Sequence, residues 1–273
     1  MQALSFVWDP SKGIDLGFFL VRYYSLMFVI AFALGWVITK KIFKNEEQTD
    51  DKLDSLFIYV VLATLLGARL GHVIFYQPEL FKEDFLSVFL PFRTVPEFQF
   101  TGFQGLASHG AAIGIIIAMY FYSKKVIKKP ILWVLDRIVI AVASGAVFVR
   151  IGNFINSEII GKATNSDFGV VFKQLGEDFP RHPAQLYESF CYIFVFVTLY
   201  YLYWKTNKSK QMGYLLGAFL VMLWTVRFFV EFVKEAQVDE RADWALNTGQ
   251  WLSIPFVIIG IYLMAASSKR MID

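Results

Sequence analysis

Apolar residues along this chain gather into long runs separated by short polar stretches. Seven of these runs are read as membrane-crossing helices, since about 20 helical residues cover a hydrocarbon core of roughly 30 Å. They are Leu16–Val37, Leu56–Tyr76, Leu106–Tyr122, Ile131–Val149, Leu186–Tyr203, Tyr214–Val233 and Trp251–Ala266. Pro255 is expected in the first turn of the last helix, where a missing amide hydrogen costs little. Between the second and third runs, Phe85–Phe92 reads FLSVFLPF between polar flanks, too short to span. An interfacial arm in contact with lipid, covering about 78–104, and a plug buried in the loop both fit it. Between the fourth and fifth runs, Ile151 to Pro183 carries Gly, Asn, Asp and a Val-Val-Phe run, which suits a small head at about 151–183 made of turns and short strands. The expected fold is an all-α membrane protein: a single integral domain over 1–273, with about seven transmembrane helices, the head and the arm.

Orientation follows from the lysines, because short cytoplasmic loops collect basic residues. Lys40, Lys41 and Lys44 follow helix one; Lys124, Lys125, Lys128 and Lys129 follow helix three; Lys205, Lys208 and Lys210 follow helix five; Lys269 and Arg270 follow helix seven. All fall on one side, which puts the N-terminus outside and the C-terminus inside. The outside connections are longer and more acidic, with Glu79, Glu83, Asp84, Glu177 and Asp178. Head and arm are therefore expected to be periplasmic.

Composition agrees with this picture: 56% of the residues are hydrophobic and the mean hydropathy is +0.50. A formal charge of +3 from dispersed lysines fits attraction to anionic headgroups and gives no reason to invoke nucleic acid. The single cysteine, Cys191, lies inside an apolar run, so no intramolecular disulfide forms. The N-terminus lacks the basic start of a cleavable leader, and its first apolar run is read as a retained helix carrying Arg22.

Ionisable groups at membrane depth cost roughly 2.5–3.5 kcal/mol each on insertion scales and mark sites of function. Arg22, Arg69, Arg150 and Arg227 are such arginines, and with His72, His109, Glu188 and Glu231 they fall in the outer halves of their helices. Guanidinium forks suit phosphate or carboxylate oxygens in a water-poor place, so a phospholipid headgroup fits. Internal pairing of the arginines with Glu188, Glu231 and Glu158 fits as well. Arg227 and Glu231 share a helical face in RFFVE, either as a structural ion pair or as a binding arginine aimed by its carboxylate. Gly67 and Gly71 have the spacing of a close helix contact, and His72 reads as a packing residue. Asp136 and Arg137 at the inner start of helix four read as a solvated interface pair.

The most specific segment is RIGNFINSEIIG, Arg150 to Gly161. It resembles the signature of the prolipoprotein diacylglyceryl transferases. SHGAAIG at Ser108–Gly114, RHPAQLYE at Arg181–Glu188, RFFVEF at Arg227–Phe232 and GQWLSIP at Gly249–Pro255 resemble further segments of that family, in the same order, and the likeness reaches back to Arg22-Tyr23-Tyr24. Val149, Ala111 and Leu223 depart from it, the last two where a glycine and a tyrosine are usual.

The resemblance implies a bacterial inner-membrane enzyme that moves the sn-1,2-diacylglyceryl group of phosphatidylglycerol onto the lipobox cysteine of a preprolipoprotein signal peptide. A thioether forms and glycerol phosphate leaves. No metal or organic cofactor is implied; the partners are phosphatidylglycerol, preprolipoproteins and membrane lipids. Arg150 and Arg227 are expected at the headgroup phosphate, Arg69 as supporting charge, and Asn153 and Asn156 at glycerol hydroxyls, with Glu158, Glu231 and Tyr24 completing the substrate-binding set. His109 is expected as the base or thiol-orienting group, although a histidine at a helix entry is also a common cap, and arginines alone can lower a thiol pKa. Another phospholipid-using transferase and an anion transporter are the competing readings. A retinal protein is disfavoured, since helix seven holds no lysine for a Schiff base.

Overall fold

The computed structural model describes residues 6–17, 20–100, 105, 107–235 and 246–271. The expected helix start at Leu106 and the arm residues 101–104 lie outside them. The helices are α1 (Tyr23–Asn45), α2 (Asp50–Tyr76), α3 (Leu80–Glu83), α4 (Phe85–Phe89), α5 (Ser108–Tyr122, continued by a wide turn over Ser123–Ile127), α6 (Ile131–Ile155), α7 (Ala184–Lys205), α8 (Tyr214–Val230) and α9 (Thr248–Ser267). Among the described residues, six helices are long and apolar enough to cross a membrane, and α8 is a shorter apolar helix. The protein is thus an all-α, multi-pass membrane protein of about seven helices.

Most ends differ from the hydropathy runs because helices outlast their apolar stretches. Residues Gly13–Asp15 (β2) and Leu20–Arg22 (β3) pair as an antiparallel hairpin, so the first helix begins at Tyr23 and not at Leu16. Arg22 is therefore an exposed strand residue immediately before the first helix, not a residue within it. A short apolar run does not distinguish strand from helix. At the other end α1 continues past Val37, burying Ile42 and Phe43. Helix α2 starts a turn and a half before Leu56, with Asp50 and Asp51 in its first turn, where carboxylates favour the positive end of the helix dipole. Helix α9 begins at Thr248 because Asn247 and Gln250 form a reciprocal capping box. Pro255 consequently sits two turns inside that helix, not in its first turn.

The chain divides into two compact units, Met1–Thr39 with Leu135–Asp273, and Lys40–Val134. In the second unit α2 and α5 meet through glycines: a Cβ on Gly110 would lie 2.2 Å from the Gly67 carbonyl oxygen and 2.8 Å from Gly71 Cα. The arm residues of this unit fold as α3, α4 and the strand pair Phe92–Arg93 (β4) with Gln99–Phe100 (β5). Val88 packs with Val73 and Leu80, while Phe85, Leu86, Phe89 and Leu90 are exposed.

In the first unit, strand Val170–Phe172 (β6) is buried and pairs in parallel with Phe6–Trp8 (β1) from the N-terminus. Trp8 stacks on Phe154 at 4.6 Å and donates its indole N–H to the Phe154 carbonyl at 3.0 Å. Phe172 closes the same cluster. Asp136 and Arg137 are not the solvated pair expected of them: they are 1% and 2% exposed. The Asp136 carboxylate accepts from the amides of Gly213 (2.6 Å) and Leu216 (2.8 Å), capping α8, and Arg137 donates to the Ser209 carbonyl. Buried charges of this kind persist when their hydrogen bonds are satisfied.

Candidate active site

Helix α6 runs past the expected end at Val149 to Ile155, so Arg150 and Asn153 project from one helical face a turn apart. Arg150 Nη1 donates to Asn153 Oδ1 at 3.2 Å, Asn153 Nδ2 donates to Glu158 Oε2 at 3.3 Å, and Asn156 Nδ2 donates to Glu158 Oε1 at 3.1 Å. Four of the residues singled out in sequence therefore form one chain of contacts. Glu158 is turned back onto the two asparagines because its neighbours Ser157 and Ile159 both take positive φ, 55° and 57°. For a β-branched residue this is a strained conformation, of a kind that clusters at functional sites. Gln185, fully buried on α7, holds the Glu158 carbonyl at 2.6 Å. Tyr24 belongs to the same group: a Cβ on Gly152 would stand 3.0 Å from its ring, and it lies in the electrostatic field of Glu158 and Arg150.

One turn into α7, Glu188 is wholly buried between two cations, with Arg150 Nε at 2.7 Å from Oε2 and Lys234 Nζ at 2.9 Å from Oε1. The arginine contact is an ion pair without the alignment of a hydrogen bond. Lys234 also reaches Glu231 Oε1 at 3.1 Å, and Asn247 Nδ2 donates to Glu231 Oε2 at 3.2 Å. Glu231 lies so close over the first turn of α9 that a Cβ on Gly249 would be 2.5 Å from its Cδ. Arg227 is engaged differently. Its guanidinium carbon lies 4.9 Å from the centroid of the Trp224 ring, and Trp224 stacks on Phe256 at 4.2 Å. Its buried Nε has no hydrogen-bond partner among the described residues. Of the two readings open for Arg227 and Glu231, the structural ion pair is not formed, whereas Arg150 pairs with Glu188.

The head is tied to this group by Arg181, which donates to both oxygens of Glu177 (2.5 and 2.6 Å), to the Gly161 carbonyl and to Glu235. The Glu177 carboxylate, more than any other neighbour, holds the Arg181 pKa above its ordinary value.

Arg69 and His109 belong to the second unit. Arg69 is buried and donates to the Ser87 carbonyl at 2.8 Å, tying α2 to the arm. His109 is exposed in the first turn of α5. His72 stacks on Tyr76 at 5.2 Å, as a packing residue would. Among the described residues no group of three or more His, Cys, Asp or Glu side chains is placed to hold a metal ion.

Lys234, Asn247 and Gln185 escaped the sequence reading. Lys234 stands just past an apolar run, where a lysine reads as an interfacial residue. Its telling feature is that it lies at the end of α8 away from the lysine clusters, against the charge asymmetry, and three residues beyond Glu231. Asn247 carries no such mark, whereas Gln185 lies inside the RHPAQLYE segment, whose likeness to the family was the signal that could have found it.

Comparison with known proteins agrees with the motifs. The family model described as prolipoprotein diacylglyceryl transferase matches residues 12–266. A phosphatidylglycerol–prolipoprotein diacylglyceryl transferase of Bacteroides fragilis is 40% identical over 270 residues, covering 98% of this chain and 97% of the relative. Proteins of the same name from Chloroherpeton thalassium (39% identical; 99% of this chain, 97% of the relative) and Ehrlichia ruminantium (33%; 95% and 96%) align over nearly the whole length too. With the motifs in order from end to end and the polar group built from them, the chain belongs to the prolipoprotein diacylglyceryl transferase family.

Proposed function

We propose that the chain transfers the diacylglyceryl group of phosphatidylglycerol to the lipobox cysteine of a preprolipoprotein. The cysteine sulfur attacks the glyceryl carbon that bears the phosphate. A C–S bond forms, the C–O bond to the phosphate breaks with its electrons, and glycerol phosphate leaves with one more negative charge than the diester carried. That added charge is what the protein must stabilise. The observation that carries the reading is Arg227, a cation at the end of an apolar helix whose Nε has no partner among the described residues and whose helix neighbour Glu231 is engaged by Lys234 and Asn247. Arg150 is aimed by Glu188 and Asn153 and is the second headgroup ligand. Asn153, Asn156 and Glu158 offer donors and acceptors for glycerol hydroxyls, with Tyr24 and Glu231 in the same substrate-binding set and Arg69 as supporting charge. The thiol proton goes to His109, or to water once arginines have lowered the thiol pKa.

The lysine asymmetry supports an inner-membrane protein with its N-terminus, arm and head in the periplasm, its C-terminus in the cytoplasm, and a site open outward. The whole chain acts as one integral domain, the arm at about 78–104 lying in the interface through Phe85, Leu86, Phe89 and Leu90. The test is purified protein with phosphatidylglycerol and a lipobox peptide. A diacylglyceryl mass gain on the cysteine together with released glycerol phosphate is the expected result; a peptide left unmodified, or modified equally well when its cysteine is replaced by serine, refutes the reading.

A further inference from the structure

Arg227 and Glu231 stand four residues apart at the end of α8, the spacing at which a guanidinium and a carboxylate ordinarily pair. They do not pair: the Glu231 carboxylate is drawn to other donors, Oε1 to Lys234 Nζ at 3.1 Å and Oε2 to Asn247 Nδ2 at 3.2 Å. Lys234 is itself held from two sides. Its backbone bridges to Gly161, flanked by the Lys162 amide on the Val233 carbonyl at 2.8 Å and the Glu235 amide on the Ile160 carbonyl at 3.3 Å. Its ammonium, with a side chain only 3% exposed, is shared between Glu188 and Glu231. An ammonium taken out of water is costly unless paired, and here its pairing orients the Glu231 carboxylate toward Lys234 and away from Arg227. Three cations, Arg150, Lys234 and Arg227, thus face two buried or half-buried acids, Glu188 and Glu231, and the surplus positive charge falls on Arg227.

We propose that Lys234 is a positioning residue for the phosphate-binding arginine: it holds Glu231 off Arg227, so that the guanidinium fork stays open to a phosphate group. This rests on the transfer reading above. Without the ammonium, Glu231 loses its cation and turns to the next one on its own helical face. A phosphate must then displace a charge-assisted contact before it can bind, a penalty of about ten- to a hundredfold in affinity.

Binding, read separately from turnover, tests this. The dissociation constant of glycerol phosphate is measured by calorimetry on the detergent-purified full chain, and KM and kcat for phosphatidylglycerol on the same preparations. Lys234→Met is expected to raise the dissociation constant and KM together by at least about tenfold, and Lys234→Arg to keep both within about threefold of the parent, since it retains the charge. Should Lys234→Met not accumulate as folded protein, Lys234→Gln, which keeps two N–H donors and drops the charge, is read in the same way. A merely structural lysine would lower the melting temperature and the active fraction while leaving the dissociation constant and KM of the folded protein unchanged, and that result overturns the proposal. Parent protein that binds glycerol phosphate but makes no thioether overturns the transfer reading instead, and the Lys234 effect on binding is still measured.

Discussion

Replacing Arg227 with alanine should separate activity from stability, and replacing Arg150 should not. Arg227 has no carboxylate partner among the described residues, so its loss orphans no buried acid. What disappears is the contact with the Trp224 ring, worth about 0.5–2 kcal/mol. If its guanidinium faces the charge that develops on the leaving phosphate, removing one preorganised donor costs about 2.7–4 kcal/mol of transition-state stabilisation, or about two to three orders of magnitude in turnover. Arg150→Ala acts on a different ledger. It leaves Glu188, with 0% side-chain exposure, facing Lys234 alone, and breaking a buried pair costs up to about 3–5 kcal/mol. Arg150→Ala should therefore melt well below Arg227→Ala, while both lose nearly all activity. Arg227→Lys keeps the charge without the planar fork and should also lose much of the activity with little change in melting. Thioether formation on a lipobox peptide is measured beside thermal unfolding in detergent for each variant. A folded, active Arg227→Ala enzyme refutes the phosphate assignment, and an Arg227→Ala melting temperature as low as that of Arg150→Ala refutes the reading that the guanidinium carries no structural ion pair.

A cysteine placed at Asn165 in a Cys191→Ser background should react with a membrane-impermeant thiol reagent in cells whose inner membrane is intact; labelling only after that membrane is opened would reverse the orientation. His109→Gln changes one exposed side chain and should leave expression and melting as they are while slowing transfer at neutral pH; a wild-type rate would remove the imidazole from the proton transfer. Thr94 donates its hydroxyl (2.5 Å) and its amide (2.7 Å) to Asp84, and these bonds hold the Asp84 carboxyl below its ordinary value of 3.8. The ionised form is the one favoured in the folded arm, so its contribution is complete above the unfolded pKa and is lost as pH falls through the folded one. Protection of the amides of residues 84–95, taken relative to their intrinsic exchange rates at each pH, should therefore fall on acidification below about pH 4, and Asp84→Asn should abolish that fall; the same fall in the variant would refute the role given to the Asp84 carboxylate.

The membrane class, the number of helices and the family were legible in the sequence, because length and hydropathy of a spanning segment are local properties and because RIGNFINSEIIG brings its functional residues together along a single stretch of chain. Element ends were less legible where polar groups do the folding: Asn247 and Gln250 start α9 ahead of its apolar run, and pairing of Leu20–Arg22 with Gly13–Asp15 takes that strand out of the first helix. The partner of Val170–Phe172 could not be read at all, since β1 lies at the other end of the chain. Pair choice among the charges belongs to the tertiary structure for the same reason. By spacing, Arg227 should have met Glu231. A lysine three residues further on, fixed by a backbone bridge to Gly161, takes that carboxylate instead, while Glu188 from another helix takes Arg150. Local sequence sets which groups are near each other along one helix; which of them pair depends on the competing charges and hydrogen bonds that packing brings in from elsewhere.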